Sequence, residues 1–302
     1  MNKNSIKKIT IVTKPNITKD IMQVISLIEK WCRKEKKEMS ILAPYRESSE
    51  FNQYMSKYKI LSRADISNYP DLIISLGGDG TLIGISRLCP SLQAPIIGVN
   101  MGKIGFITEF TKDEFLDLLA SSFKGMSHFK LPLFKALVFR DGKQIFKDYF
   151  INDTVLHKND ISRMFSLSVG TKNNHIYNLS GDGIIISTPL GSTAYSLAAG
   201  GPLIYPDVHA LSLTPICPHS LTHRPFVLPE NHEIHIKLLE DPEFVSLTLD
   251  GQGHLELKGS DLIVIKKNRR RNIQYIKNKK KNYFKNLGDI FTYGKRIKTY
   301  QE

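Results

Sequence analysis

The sequence predicts two domains: an N-terminal α/β domain with a parallel sheet, and a C-terminal domain that is mostly antiparallel β. Short apolar runs alternate with helical periodicity up to about residue 125, and apolar residues then recur at every second position. The length of 302 residues exceeds the ~100–200 expected of one domain. We expect residues 1–128 to form the first domain and residues 129–283 the second, with residues 284–302 returning to the first.

The first elements follow from the spacing of apolar residues. Residues 9–12 predict a strand, and residues 39–42 predict a second one. Residues 50–69 are compatible with a helix or a loop, whereas residues 71–76 are an apolar run typical of a strand covered on both faces. This βαβαβα order predicts parallel pairing. The first helix has its apolar positions at Ile21, Val24, Ile25, Ile28 and Trp31.

The third strand ends in the turn Gly77-Gly78-Asp79-Gly80, which is the main candidate for a functional site. Open α/β sheets bind ligands at the carboxyl ends of strands, and glycines let backbone N–H groups approach a phosphate. The spacing fits neither standard nucleotide-binding loop. Because a carboxylate would repel phosphate, Asp79 indicates general-base or metal-bridging chemistry. The alternative is a tight turn whose aspartate caps a helix, although we expect Thr81 to be that cap.

A second polar turn follows the strand at residues 95–100 and should lie beside the first. In this turn Phe106 could cover a ring of a ligand or could be an ordinary core residue. Thr111 and Glu114 are spaced as a capping box at the start of a helix.

The second domain contains the densest run of small polar residues, from Ser180 to Ser196, followed by Gly200-Gly201-Pro202. It offers backbone and hydroxyl donors, a stacking face at Tyr195 and a second carboxylate at Asp182. The alternative is a serine- and glycine-rich surface loop. The donors are Gly191, Ser192, Thr193 and Ser196. Hairpin turns are predicted at Asp141-Gly142 and Asp250-Gly251, and Gln252 could reach a ligand from the second turn.

Net charge is +13, and ten of the basic residues lie between Leu262 and Gly288, where no acidic residue occurs. We interpret this run as a solvated face, so that Lys266 to Lys281 would be dispensable for chemistry.

No nucleic-acid-binding motif or apolar run of ~18 residues is present, so we expect neither nucleic-acid nor membrane partners. Three widely spaced cysteines indicate a cytoplasmic protein. His219 and His223 lie between prolines, which favours a rigid turn over a metal site.

The chain resembles the bacterial NAD kinase family from its first strand to nearly its end. Beyond the glycine turn, the resemblance rests on four further motifs: residues 100–106, Asn152-Asp153 with Leu156-His157, residues 181–202, and residues 218–221 with Arg224-Pro225. It implies a two-domain fold with NAD between the domains, and transfer of the γ-phosphate of ATP to the 2′-hydroxyl of the adenosine ribose. We also expect a homo-oligomer, either a dimer or a tetramer.

The resemblance also implies roles for single residues. Asp79 would be the general base, the phosphates of ATP would meet Gly77, Gly78 and Gly80, and Mg²⁺ would arrive with ATP without an identified side-chain ligand. Asn152 and Asp153 would hold the base and ribose. The remaining residues expected to contact NAD are Gly80, Phe106, Arg163, Ser180, Asp182, Thr193, Ala194, Tyr195, Ser196, Leu197, Ala198 and Gln252.

Three positions depart from the family pattern. Asp153 stands where glutamate is common, Leu190 replaces a threonine, and Ser180 stands where close bacterial relatives often carry a basic residue. Two other functions are compatible with part of this sequence. A diacylglycerol-type lipid kinase shares the glycine turn but would not use the Thr193-Ala194-Tyr195 pocket, and a non-catalytic NAD-binding protein would not need Asp79.

Overall fold

The computed structural model describes residues 6–43, 49–88, 94–102, 105–159, 164–240 and 245–293. The chain divides into two compact units: Met1–Leu131 together with Ile273–Glu302 form unit 1, and Pro132–Asn272 form unit 2. The return to unit 1 therefore begins at Ile273, eleven residues before the predicted residue 284. The reason is a long strand, Leu262–Lys277, that begins in unit 2 and ends in unit 1.

Unit 1 contains the predicted parallel sheet. Its strands pair in the order β3-β2-β1-β4-β5, all in parallel, and β6 pairs with β5. The strands are β1 (Lys8–Thr13), β2 (Glu38–Leu42), β3 (Lys59–Leu61), β4 (Leu72–Gly77), β5 (Ile96–Asn100) and β6 (Phe110–Thr111), and the helices are α1 (Lys19–Lys34), α2 (Ser49–Met55), α3 (Asp79–Leu88) and α4 (Lys112–Ala120). The stretch 50–69, which the sequence left open, thus contains both a helix and a short strand.

The core of unit 1 lies between the sheet and its helices. Ile21, Val24, Ile25 and Ile28 of α1 are fully buried against strand residues such as Ile9. Thr18 caps α1, and the capping box predicted for α4 is present, with Thr111 and Glu114 each bonding the other's backbone N–H.

Unit 2 is built from antiparallel strands, as predicted. One sheet has the order β14-β13-β12-β9-β16-β17, the pairs β11-β10 and β10-β15 are antiparallel, and β7 forms a hairpin with β8. The elements are β7 (Ser127–Arg140), β8 (Lys143–Phe150), β9 (Asp153–Lys158), β10 (Phe165–Thr171), β11 (His175–Gly181), β12 (Gly183–Ser187), α5 (Tyr195–Ala198), β13 (Ala210–Ile216), β14 (Phe226–Pro229), β15 (Ile234–Leu238), β16 (Val245–Leu249) and β17 (Gly253–Glu256).

The two predicted hairpin turns are present. Asp141 and Gly142 have φ of 49° and 76°, and Asp250 and Gly251 have φ of 49° and 64°. Positive φ at both central residues is the geometry of a type I′ turn, which aspartate and glycine adopt readily.

The basic stretch near the C-terminus forms a strand, β18 (Leu262–Lys277), followed by the helix α6 (Tyr283–Tyr293). The first part of β18 pairs with β15 in unit 2, and Tyr275 near its end pairs with Ile96 of β5 in unit 1. Ile276 belongs to the core of unit 1, whereas Phe284 of α6 is 68% exposed. No helix in the described ranges combines the length and apolarity needed to cross a membrane.

Candidate active site

The glycine turn lies where β4 ends and α3 begins, as the sequence predicted. The helix starts at Asp79, however, so the expectation that Thr81 caps it was wrong. Thr81 lies within the first turn, where its N–H donates to the carbonyl of Gly78 at 3.1 Å. With Thr81 as the cap the helix would begin at residue 82, so the observed start is three residues earlier and brings Asp79 itself to the N-terminus of α3.

Asp79 accepts hydrogen bonds from three consecutive backbone N–H groups. Oδ2 accepts from Phe106 at 2.8 Å, and Oδ1 accepts from Ile107 at 3.2 Å and from Thr108 at 2.8 Å. Hydrogen bonds to a charged group contribute ~1.5–3 kcal/mol each, so these bonds fix the carboxylate firmly. A carboxylate has about four acceptor positions, so the bonds from described residues leave one, on Oδ2. The second polar turn therefore lies beside the first, as predicted, and it orients Asp79.

Glycine occurs at the positions of this turn for different reasons. A Cβ at Gly77 would lie 2.8 Å from Cβ of Thr81, so close packing of α3 on β4 requires glycine there. A Cβ at Gly78 or Gly80 would meet no described atom within 4 Å. Packing of the protein thus explains Gly77 but explains neither Gly78 nor Gly80.

The turn that holds Asp79 is itself held by residues from the end of the basic stretch. Lys281 Nζ donates to the carbonyls of Phe106 and Thr108, both at 2.9 Å, and lies 3.8 Å from Oε1 of Glu109. The Lys281 side chain is only 13% exposed. The interpretation of residues 266–281 as a solvated face was therefore wrong for Lys281.

Other lysines of this stretch are also paired. Lys266 contacts Glu233 at 2.9 Å, and Lys267 contacts the buried Glu230. The absence of acidic residues within the stretch concealed these pairs, because the carboxylates come from more than thirty positions earlier in the chain.

In unit 2, Asp250 holds a second group of predicted residues in the same way. Its Oδ2 accepts the N–H of Ile151 at 3.1 Å, and its Oδ1 accepts those of Asn152 at 2.8 Å and Asp153 at 3.1 Å. Burial, reinforced by the charge of Asp250, raises the pKa of Asp153 to about 7. Oδ1 of Asn152 is buried and has no hydrogen-bond partner among the described residues. Strongly shifted pKa values and unsatisfied buried polar atoms are typical of functional sites.

The small-polar run lies beside Asn152. Asp153 pairs with Ser187 at the end of β12, and the N–H of Thr188 donates to the carbonyl of Asn152 at 2.8 Å. A Cβ at Gly191 would lie 2.7 Å from Cα of Asn152, which explains the glycine.

The hydroxyl groups of the run mostly serve the protein itself. Thr193 donates to the carbonyl of Leu190 at 3.1 Å, and the fully buried Ser196 shares a hydrogen bond with Thr214 at 3.1 Å. The hydroxyl of Ser196 therefore holds the segment in place. Tyr195, by contrast, is 49% exposed and offers the predicted ring face.

Asp182 directly precedes the other end of β12, and Ser180 lies in β11. Ser187 lies five residues after Asp182 along β12, which at about 3.3 Å per residue separates the two by ~17 Å. Asp182 forms an ion pair with Lys158 at 2.7 Å, and Ser180 shares a hydrogen bond with Ser166 at 2.7 Å. The structure therefore divides the predicted unit 2 residues into two groups.

The remaining predicted residues are placed as follows. Phe106 is half-buried and acts on Asp79 through its N–H, Leu197 is half-buried, Ala198 is exposed, and Gln252 is exposed in the hairpin turn after β16. Arg163 lies outside the described residues. His223 contacts the carbonyl of Asn178 at 2.9 Å, and its backbone N–H donates to the carbonyl of Ser220 at 3.3 Å, as in a turn. Within the described ranges no three His, Cys, Asp or Glu residues are grouped as metal ligands.

The sequence matches two family profiles: the ATP-NAD kinase N-terminal domain over residues 9–126 and the ATP-NAD kinase C-terminal domain over residues 151–277. The NAD kinase of Thermoanaerobacter sp. (strain X514) is 35% identical over 289 residues, covering 95% of this chain and 99% of that protein. The NAD kinase of Magnetococcus marinus is 34% identical over 284 residues, covering 93% and 91%.

Two solved structures have the same fold. One is yeast NADH kinase complexed with NADH, with a TM-score of 0.82 and 22% identity, covering 99% of this chain and 91% of that chain. The other is the NAD kinase from Archaeoglobus fulgidus in complex with ATP, with a TM-score of 0.70 and 23% identity, covering 93% and 97%. The profile matches and the bacterial relatives together establish that this chain belongs to the ATP-NAD kinase family.

Proposed function

We propose that this protein is an NAD kinase that transfers the γ-phosphoryl group of ATP to the 2′-hydroxyl of the adenosine ribose of NAD, with Asp79 as the general base. The observation that carries this proposal is the Asp79 carboxylate, which three backbone N–H groups fix at the N-terminus of α3, while the described residues leave one acceptor position on Oδ2. This acceptor position can receive the proton of an alcohol. A carboxylate within a phosphate-binding turn thereby has a chemical role.

Gly78 and Gly80 are the proposed contacts for the phosphates of ATP. No described atom would meet a Cβ at either position, so we explain these glycines by close approach of a ligand to the backbone. The N-terminus of α3 adds a partial positive charge that favours an anion. Gly77, whose lack of a side chain is explained by Thr81, contributes mainly by keeping α3 close to β4.

Mg²⁺ is proposed to enter as the complex with ATP, because protein sites usually hold it through one or two carboxylates and the phosphates of the substrate. It would neutralise charge on the transferring phosphoryl group. The protein's own contribution is to orient the acceptor hydroxyl and accept its proton at Asp79.

Asn152 and Asp153 are proposed to hold the adenosine. The buried Oδ1 of Asn152 suits the exocyclic amino group of adenine, which is a donor. With a pKa near 7, Asp153 carries a proton in part of the population and can then donate to a ring nitrogen or a ribose oxygen. Tyr195 is proposed to stack on a ring, and its neighbours Thr193, Ala194, Leu197 and Ala198 would line the same pocket. Ser180, Asp182, Arg163 and Gln252 remain proposed contacts for the rest of NAD.

Membership of the ATP-NAD kinase family disfavours the lipid kinase, and Asp79 disfavours a protein that only binds NAD. The homo-oligomeric state and the cytoplasmic location remain predictions from the sequence.

The direct test incubates the purified protein with NAD and MgATP and identifies the product by mass spectrometry, with diacylglycerol as the alternative acceptor. We expect NADP with the phosphate on the 2′-oxygen. Phosphorylated diacylglycerol, or bound NAD without turnover, would refute the proposal.

A further inference from the structure

Lys281 contacts two of the three residues that hold Asp79, but through their other backbone groups. The N–H groups of Phe106, Ile107 and Thr108 donate to Asp79, while the carbonyls of Phe106 and Thr108 accept from Lys281. The turn is therefore bonded on its donor side to one charged side chain and on its acceptor side to another. Any movement of the turn's backbone would change both sets of bonds.

The ammonium group of Lys281 is retained in this place at an energetic cost. Its side chain is 13% exposed, and burial lowers its pKa, an effect that the charges of Glu109 and Asp79 oppose. Burial likewise raises the pKa of Glu109. An apolar side chain of similar length would fill the same volume without these costs. Packing therefore does not explain a lysine at this position, whereas the bonds to the two carbonyls do.

Asn278 strengthens the attachment of the same segment. Its backbone N–H donates to Oε2 of Glu109 and its side-chain amide donates to the carbonyl of Glu109, both at 3.1 Å. Residues 278–281 thus make four hydrogen bonds to residues 106–109, counting the two from Lys281. The bonds join positions that are 169 to 175 residues apart in the sequence.

We propose that Lys281 is a positioning residue for phosphoryl transfer, which fixes the 106–108 turn and thereby aims the carboxylate of Asp79 at the acceptor hydroxyl. The inference rests on the proposed function, since it assumes that Asp79 is the base. Lys281 itself bonds the protein backbone and does not touch the reacting atoms. Its effect should therefore appear in the rate of the chemical step.

The kinetic test compares Lys281→Met with wild type and with Lys279→Met, an exposed lysine two positions away. Because misplacing a reacting group by about 1 Å can cost ~10²-fold in rate, we expect kcat of Lys281→Met to fall by ~10–100-fold. KM for NAD should stay within about threefold, since binding groups elsewhere are untouched. Lys281→Arg, which keeps the charge and the donors, should recover at least part of kcat.

A second measurement does not depend on catalysis. Hydrogen exchange of the amides of Phe106, Ile107 and Thr108 reports their bonds to Asp79 directly. We expect faster exchange in Lys281→Met and wild-type protection in Lys279→Met. If wild type does not phosphorylate NAD, the proposed function fails, while the exchange data still show whether Lys281 fixes the turn.

The proposal is overturned if Lys281→Met keeps kcat within about threefold of wild type, or if these three amides stay as protected as in wild type. A fall in thermal stability with unchanged kcat would give Lys281 a structural role only. If Lys281→Met does not fold, Lys281→Gln replaces it in the same comparison with Lys281→Arg. In that case, equal kcat values for Lys281→Gln and Lys281→Arg would also overturn the proposal.

Discussion

Gly105 has no room for a side chain because Asp79 lies against it. A Cβ built on Gly105 would be 2.7 Å from Cγ of Asp79 and 2.7 Å from Oγ1 of Thr108, far inside van der Waals contact. Phe106, the next residue, donates its N–H to Asp79. Glycine at this position therefore lets the turn close around the carboxylate.

Gly105→Ala should displace the Asp79 carboxylate without changing its chemistry. We expect kcat to fall by ~10–100-fold, because a shift of about 1 Å can cost that much, while the KM for NAD changes little. Gly102→Ala is the matched control, since a Cβ there meets no described atom within 4 Å. Steady-state assays of both variants make the comparison. Equal kcat for the two would mean that the position of Asp79 does not limit the reaction.

Local patterns predicted much of this site. The apolar run before Gly77 identified β4, and the pairs Asp141-Gly142 and Asp250-Gly251 identified two hairpins. Each of these signals acts over a few residues, where turn chemistry and periodicity are decisive.

Contacts between distant residues were not predictable in this way. Asp79 bonds residues 27 to 29 positions away, and Asp250 bonds residues 97 to 99 positions away. Lys281 stood within a run of exposed lysines, and composition alone could not distinguish it from Lys279. Bonds from a side chain to a distant backbone leave no period and no motif in the sequence.

The buried acid Asp153 should make stability depend on pH. Its pKa is about 7 in the folded protein and near the ordinary 3.8 when unfolded, so the folded state binds the extra proton in between. The contribution of Asp153 to the free energy of unfolding is therefore fully present below about pH 4 and is lost as the pH rises towards about 7. At roughly 1.4 kcal/mol per pKa unit the loss is a few kcal/mol.

Asp153→Asn cannot lose that proton, so its free energy of unfolding relative to wild type should rise between about pH 4 and pH 7. Urea unfolding at a series of pH values measures this difference. The control is Asp141→Asn, which makes the same substitution at an exposed turn position of unit 2. If the stability curves of Asp153→Asn and wild type run parallel across this range, the side chain of Asp153 does not titrate as described.

Ser180 should leave the enzyme weakly selective between NAD and NADH. The two substrates differ by one charge at the nicotinamide, and a small neutral serine supplies little to distinguish them. We expect kcat/KM for NADH to lie within ~100-fold of that for NAD, equivalent to less than about 2.8 kcal/mol. Ser180→Arg should increase the preference for NAD.

The control for this variant is Ser180→Ala, which removes the hydrogen bond to Ser166 without adding a charge. Both substrates are assayed with each protein. Rejection of NADH by wild type beyond ~10³-fold, or an NAD/NADH ratio that arginine leaves unchanged, would show that position 180 does not set the preference.

The central claim is that Asp79 is the general base, and Asp79→Asn tests it most directly. The amide keeps one oxygen for the N–H groups of Ile107 and Thr108, so the fold and most NAD affinity should persist. Steady-state assays with NAD and MgATP should show kcat reduced by ~10²–10⁴-fold, the usual contribution of a general base. A folded Asp79→Asn variant that turns over NAD at nearly the wild-type kcat would contradict the account.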